Sequence, residues 1–135
     1  LFVRNALAKT FFSFMTHSLG TGIVYSAILL LTLAGLAWAL SNVISNSATA
    51  NLLIPIALPL ALTVDQDLVT VALVVALSCS LAMMLPISTP PNAIAYATGT
   101  VQTPQMVVTG LVVGVLGVLL AVLVMPLWWR VLGIG

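Results

Sequence analysis

Two uncharged polar stretches interrupt a chain that is otherwise almost all hydrocarbon: Ser41-Asn42-Val43-Ile44-Ser45-Asn46-Ser47-Ala48-Thr49 and Pro86-Ile87-Ser88-Thr89-Pro90-Pro91-Asn92-Ala93. Their hydroxyls and amides can bond to water, backbone or solute, and their oxygens can ligate hard cations. In a bilayer such groups must be met by protein, water or a bound ligand. The economical reading is a site for ions and a polar solute. Backbone carbonyls freed by a helix break supply oxygen ligands for sodium, helped by Ser, Thr and Asn side chains. The N-terminus of a half-helix turns a positive dipole end toward an anion. Transporters place pairs of broken helices at the membrane midplane, related by inverted repeats. Here one broken element is the tip at 45–49 and the other is the proline break at 86–92. An anion can then be held without Arg or Lys. The absence of buried charge argues against a proton relay, which needs Asp, Glu or His in the membrane.

The elements that must position these groups are apolar. The chain has 135 residues, 62% of them hydrophobic and 4% charged, where a soluble domain carries about a quarter. The charges are Arg4, Lys9, Asp65, Asp67 and Arg130, none inside a long apolar run. This is the composition of an integral membrane protein. A net charge of +1 with no basic cluster gives no sign of nucleic acid as a partner. The single cysteine, Cys79, allows neither an internal disulfide nor a cysteine metal site. No nucleophile–base pair or metal cluster is evident, so no enzyme and no catalytic residue is expected. The chain opens on Leu1 without a signal-peptide pattern, and the expectation is a fragment of a longer transporter.

Residues 1–22 read as an interfacial amphipathic segment or the end of a preceding helix, with Arg4 and Lys9 among Phe2, Val3, Leu7 and Phe11. Residues 23–62 read as a span and a re-entrant hairpin with a Ser-Asn-Ser tip. Ile23 to Leu40 suffices for a core of ~30 Å at ~1.5 Å per residue, though Gly35 permits a break. Leu52 to Leu62, with Pro55 and Pro59, covers only about half that depth. A polar tip between such arms suggests a hairpin that enters the membrane, turns at depth and leaves on the same side.

Residues 68–99 read as a broken transmembrane helix. Asp65 or Asp67 can cap its start. Leu68 to Leu85 runs to Pro86, and the prolines at 86, 90 and 91 cannot continue a regular helix. A second half-helix resumes over Asn92 to Gly99. Residues 104–127 read as the final span, entered through Thr103-Pro104. Residues 128–135 read as an interfacial tail, with Trp128, Trp129 and Arg130 at the membrane–water boundary.

Ordinary roles compete with site roles at each polar residue. Ser and Thr in membrane helices usually bond back to a carbonyl one turn earlier. That reading covers Ser26, Thr32, Ser78, Ser80, Thr98 and Thr109. Asn46 and Asn92 are read as site residues, because Asn is costly in lipid. Asn42 and Asn51 serve equally well as helix caps. His17 has no second metal ligand near it. Gly110-x-x-x-Gly114 permits close helix packing and is weak evidence for dimerisation.

Ser45-Asn46-Ser47-Ala48-Thr49, followed by Leu52-Leu53-Ile54-Pro55, resembles the Ser-Asn-Thr hairpin signature of divalent anion:sodium symporters. The run from Ser80 through Pro86-Ile87-Ser88-Thr89-Pro90-Pro91-Asn92 to Ile94 is similar to the second signature of that family. With the final span, the resemblance covers about residues 23–130 and corresponds to the C-terminal repeat of a transporter with about eleven spans.

The resemblance implies an all-α polytopic membrane protein: a re-entrant helical hairpin plus a broken transmembrane helix, one half of an inverted-repeat elevator transporter. It implies sodium-coupled carriage of a C4-dicarboxylate, a tricarboxylate or sulfate across the cell inner (plasma) membrane by a multi-pass protein. Asn46 and Ser47 would touch substrate carboxylates, and Thr89 and Pro90 would line the substrate side. Ser41, Ser45, Asn46 and Ser88 would bind sodium, many through backbone carbonyls. Thr49 and Asn92 would support them. Implied partners are the dianion, sodium ions, the lipid bilayer, the missing N-terminal half and a second copy in a homodimer. Two departures stand out. Ser47 replaces the Thr of the motif, keeping the hydroxyl and losing a methyl, and Met83 stands where an aromatic residue is common. The first Ser-Asn-Thr motif of the family is not in this chain. Competing readings are a sodium-independent dicarboxylate exchanger of the same fold and a structural membrane subunit.

Overall fold

The computed structural model of the chain describes residues 20–133. The segment read at 1–22 therefore lies, up to residue 19, outside the described residues, as do Arg4, Lys9 and His17. All regular structure among the described residues is helical. The helices are α1 (Gly20–Ser41), α2 (Asn46–Leu62), α3 (Leu68–Ser80), α4 (Pro90–Ala97), α5 (Thr103–Leu123) and α6 (Met125–Val131).

Most helix starts carry a local stop or start signal. Asp67 caps α3, its carboxylate accepting from the Thr70 N–H at 2.7 Å. Asp65 takes a left-handed conformation with φ 52° in the tight turn before it, which a short polar side chain tolerates. Gln102 and Gln105 form a capping box at the start of α5, with proline in its first turn. Gly99, at φ 73°, follows the end of α4 and supplies the left-handed residue that closes a helix.

α1 is continuous through Gly35, and its 22 residues reach ~33 Å. α2 runs unbroken through Pro55 and Pro59; each proline lacks the N–H that would bond one turn back. The helical path from Thr103 runs to Val131 with one irregularity at Val124. Pro126 explains it: the Val124 N–H still bonds to Leu120, but Pro126 has no N–H to give the Val122 carbonyl. α1 and the Thr103–Val131 path are each long and apolar enough to cross a membrane.

The core lies between α1, α2 and α3, with α5 and α6 against it. Small residues let the backbones approach: Ala34 and Ala37 on α1 and Ala57 and Ala61 on α2 are fully buried, facing Val71, Val74 and Val75 of α3. Leu, Ile and Val dominate the outward faces, as on Ile23, Leu52, Leu116 and Val131. Such a surface suits hydrocarbon rather than water. Trp128 and Arg130 are exposed, whereas Trp129 packs into the core cluster at 8% exposure. α4 buries none of its residues.

Candidate functional site

The site is built where helices end. α1 stops at Ser41 and α3 stops at Ser80, so two C-terminal ends meet. The Ser41 hydroxyl joins them: Oγ donates to the Cys79 carbonyl oxygen at 2.8 Å, 38 residues away in sequence. The same Oγ lies 2.6 Å from Asn46 Oδ1, at the first turn of α2. Ser41 is fully buried and Asn46 half-buried. One hydroxyl carries one proton and cannot serve two acceptors fully. Three oxygens, from the end of α1, the start of α2 and the end of α3, therefore crowd one point. Helix C-termini carry partial negative charge, and converging oxygens are what a hard cation takes as ligands.

The second contact between the stretches runs through Asn42. Its Nδ2 donates to the Trp38 carbonyl at 2.8 Å, which caps the end of α1. Its Oδ1 accepts from the Met84 N–H at 2.9 Å, and its own carbonyl accepts from the Ser88 Oγ–H at 3.0 Å. Ser88 is buried at 2% exposure. The broken stretch 81–89 is thereby sewn to the turn at 42–45.

α3 unwinds at Ser80, ahead of the Leu85 limit that the apolar run predicts. The cause is polar competition for the backbone. Pro86 disfavours helical geometry at Leu85, Asn42 takes the Met84 N–H, and Asn92 Nδ2 donates to the Ala82 and Leu85 carbonyls, each at 3.4 Å. Gly110 of α5 lies close against this stretch, and only glycine fits there: a Cβ would stand 2.7 Å from the Met84 nitrogen. At Gly114 a Cβ would collide with the Trp38 indole. The Gly110–Gly114 spacing thus serves packing within this chain.

Two further helices begin within the polar stretches. Ser45 caps α2, accepting from the Ala48 N–H at 3.2 Å. Thr89 caps α4, accepting from the Asn92 N–H at 3.4 Å, with Pro90 in the first turn. Ser45, Ser47 and Pro90 are exposed, and Thr89 and Asn92 half-buried. The N-termini of α2 and α4 therefore present donors and positive dipole ends, which favour anions.

Ser41 and Asn46 are in direct contact, and Ser88 joins them through the Asn42 backbone. Ser45 and Thr89 instead satisfy their own helices. Thr49 points into the helix packing: it is fully buried, and its Oγ1 has no hydrogen-bond partner among the described residues. Ser26, Thr32, Ser80 and Thr98 bond back along their helices. Ser78 departs from that pattern, its buried Oγ lacking a partner among the described residues. Sequence reasoning undervalued Asn42. Its position after an apolar arm signals a cap, but its partner 42 residues on leaves no local signature.

Residues 3–134 match the family described as the sodium:sulfate symporter transmembrane region. The chain is 42% identical over 84 residues to the Na(+)/dicarboxylate cotransporter 3 of Rattus norvegicus, covering 62% of this chain and 14% of that relative. It is 42% identical over 89 residues to the sodium-dependent low-affinity dicarboxylate transporter 1 of Caenorhabditis elegans, covering 66% and 15%. It is 38% identical over 107 residues to the Na(+)/citrate cotransporter of Rattus norvegicus, covering 79% and 19%. The matched stretch is under a fifth of the length of each of these relatives. With a family match that runs nearly end to end over this helical, apolar chain, the protein belongs to the sodium:sulfate symporter transmembrane region family.

Proposed function

We propose that the chain supplies the C-terminal half of the binding site of a sodium-coupled secondary transporter for divalent anions, a di- or tricarboxylate or sulfate. The observation that carries this reading is the convergence of Ser41 Oγ, Asn46 Oδ1 and the Cys79 carbonyl where the C-termini of α1 and α3 meet the start of α2. These uncharged oxygens suit a sodium ion in cargo. The N-termini of α2 and α4 suit the anion beside it. Relatives named for sodium/dicarboxylate and sodium/citrate cotransport support the same pairing.

In this reading Ser41, Ser45, Asn46 and Ser88 serve sodium, and Asn46, Ser47, Thr89 and Pro90 face the anion. Thr49 backs the tip from inside the packing, and Asn92 holds the break open by bonding Ala82 and Leu85. α1 and α2 form the re-entrant hairpin, and α3 with α4 the broken helix. Sodium neutralises the anion's field and completes the site. The loaded domain then moves across the plasma membrane as an elevator, in a homodimer whose other half-sites come from an N-terminal repeat outside this chain.

The test is uptake of succinate, citrate and sulfate by the full-length protein in proteoliposomes, with and without an inward sodium gradient. Concentrative uptake of at least one dianion only with the gradient is the expected result. Sodium-free counterflow at the same rate would replace symport with exchange. No flux under any condition would reject transport.

A further inference from the structure

Asn42 does more than end α1. It is 5% exposed, and its amide nitrogen, amide oxygen and backbone carbonyl are each engaged. Two of those partners, Met84 and Ser88, belong to the unwound stretch 81–89. Gly110 also stands against this backbone: an added Cβ would lie 2.8 Å from the Met83 carbonyl carbon and 2.7 Å from the Met84 nitrogen. The Met83–Met84 backbone is therefore bonded to the Asn42 amide and lies close against the backbone of α5.

We infer that Asn42 is a positioning residue: it clamps the unwound stretch, with Gly110 as its backing, and so holds Ser88 and the Thr89 cap in register with the Ser45–Asn46 tip. The inference rests on the transport reading above. Its physical content is preorganisation. A non-helical stretch left free must be ordered when an ion binds, and that ordering subtracts from affinity. Asn42 makes the ordering part of folding. It reaches the proposed ion ligands through Ser88 and Met84 rather than touching cargo itself, as groups behind metal ligands do.

The test is a sodium titration of dianion uptake in the full-length protein, wild type against Asn42→Ala. The half-saturating sodium concentration rises about tenfold, the scale of lost support behind metal ligands, while the rate at saturating sodium stays within about twofold of wild type. A residue that merely caps α1 would lower the yield of folded protein and leave half-saturation unchanged. That result overturns the inference alone, because the wild type still responds to sodium. A wild type without sodium response overturns the transport reading as well. Hydrogen exchange on the wild type reads the clamp without a variant. In sodium-free buffer the Met84 amide exchanges at least about a hundredfold slower than a free-chain amide, and exchange at the free-chain rate rules the clamp out.

Discussion

The Ser41 hydroxyl bridges two chain segments that no local pattern connects, with Asn46 Oδ1 at 2.6 Å on one side and the Cys79 carbonyl at 2.8 Å on the other. Ser41 is fully buried. Its oxygen thus fastens the tip of the helical pair α1–α2 to the end of α3, and in the proposed function it also faces sodium. Ser41→Ala removes both services. The expected outcome is a loss of about 1–2 kcal/mol in stability, with half-saturating sodium raised by about tenfold or more. Thermal unfolding with and without sodium, read beside sodium-dependent uptake, checks it. A variant that is less stable but keeps its sodium response would make Ser41 a fastening only.

Gly114 and Trp38 occupy one another's space, so that even a methyl group on Gly114 meets the indole. Gly114→Ala is expected to destabilise by about 1–3 kcal/mol through overpacking. Trp38→Leu clears that space and has its own cavity cost, but the pair together should cost less than the sum. A double-mutant cycle measures the coupling, expected at roughly 0.5–3 kcal/mol. Strict additivity would mean that α1 and α5 do not meet at this point.

Ser78 offers the opposite case. Its hydroxyl is buried with no partner among the described residues, so it contributes desolvation cost and no bond. Ser78→Ala should be neutral or stabilising by up to about 1 kcal/mol. A loss beyond about 1 kcal/mol, measured by denaturation in matched detergent, would reveal a bond that the hydroxyl makes in the full-length protein.

The helical class of the chain was legible because sustained apolar runs admit few alternatives, and the cap at Asp67 sits on a side chain that signals it, whereas Ser45 and Thr89, expected at the site, also cap their own helices. The end of α3 was not legible. Pro86 signals a stop at Leu85, but Leu81 to Met84 continue the apolar run, and it is the long-range bonds from Asn42 and Asn92 that engage this stretch outside the helix. Trp128 and Trp129 share a side-chain type but not a setting: Trp129 lies in the core cluster while Trp128 stays outside, a difference that residue type alone does not carry. At the candidate site, the oxygen-rich composition of the two stretches points to the proposed chemistry. The pairing of Ser41 with Cys79, and of Asn42 with Met84, is a property of the packed helices and has no periodicity to read.

The most direct test of the central claim is sodium-dependent dianion uptake by the full-length Asn46→Ala variant. Asn46 stands half-buried at the junction of the three helix ends, so truncating it should abolish sodium-driven uptake of succinate, citrate and sulfate alike while the protein stays folded and monodisperse. Uptake at wild-type rates and wild-type sodium dependence in that variant would contradict the account.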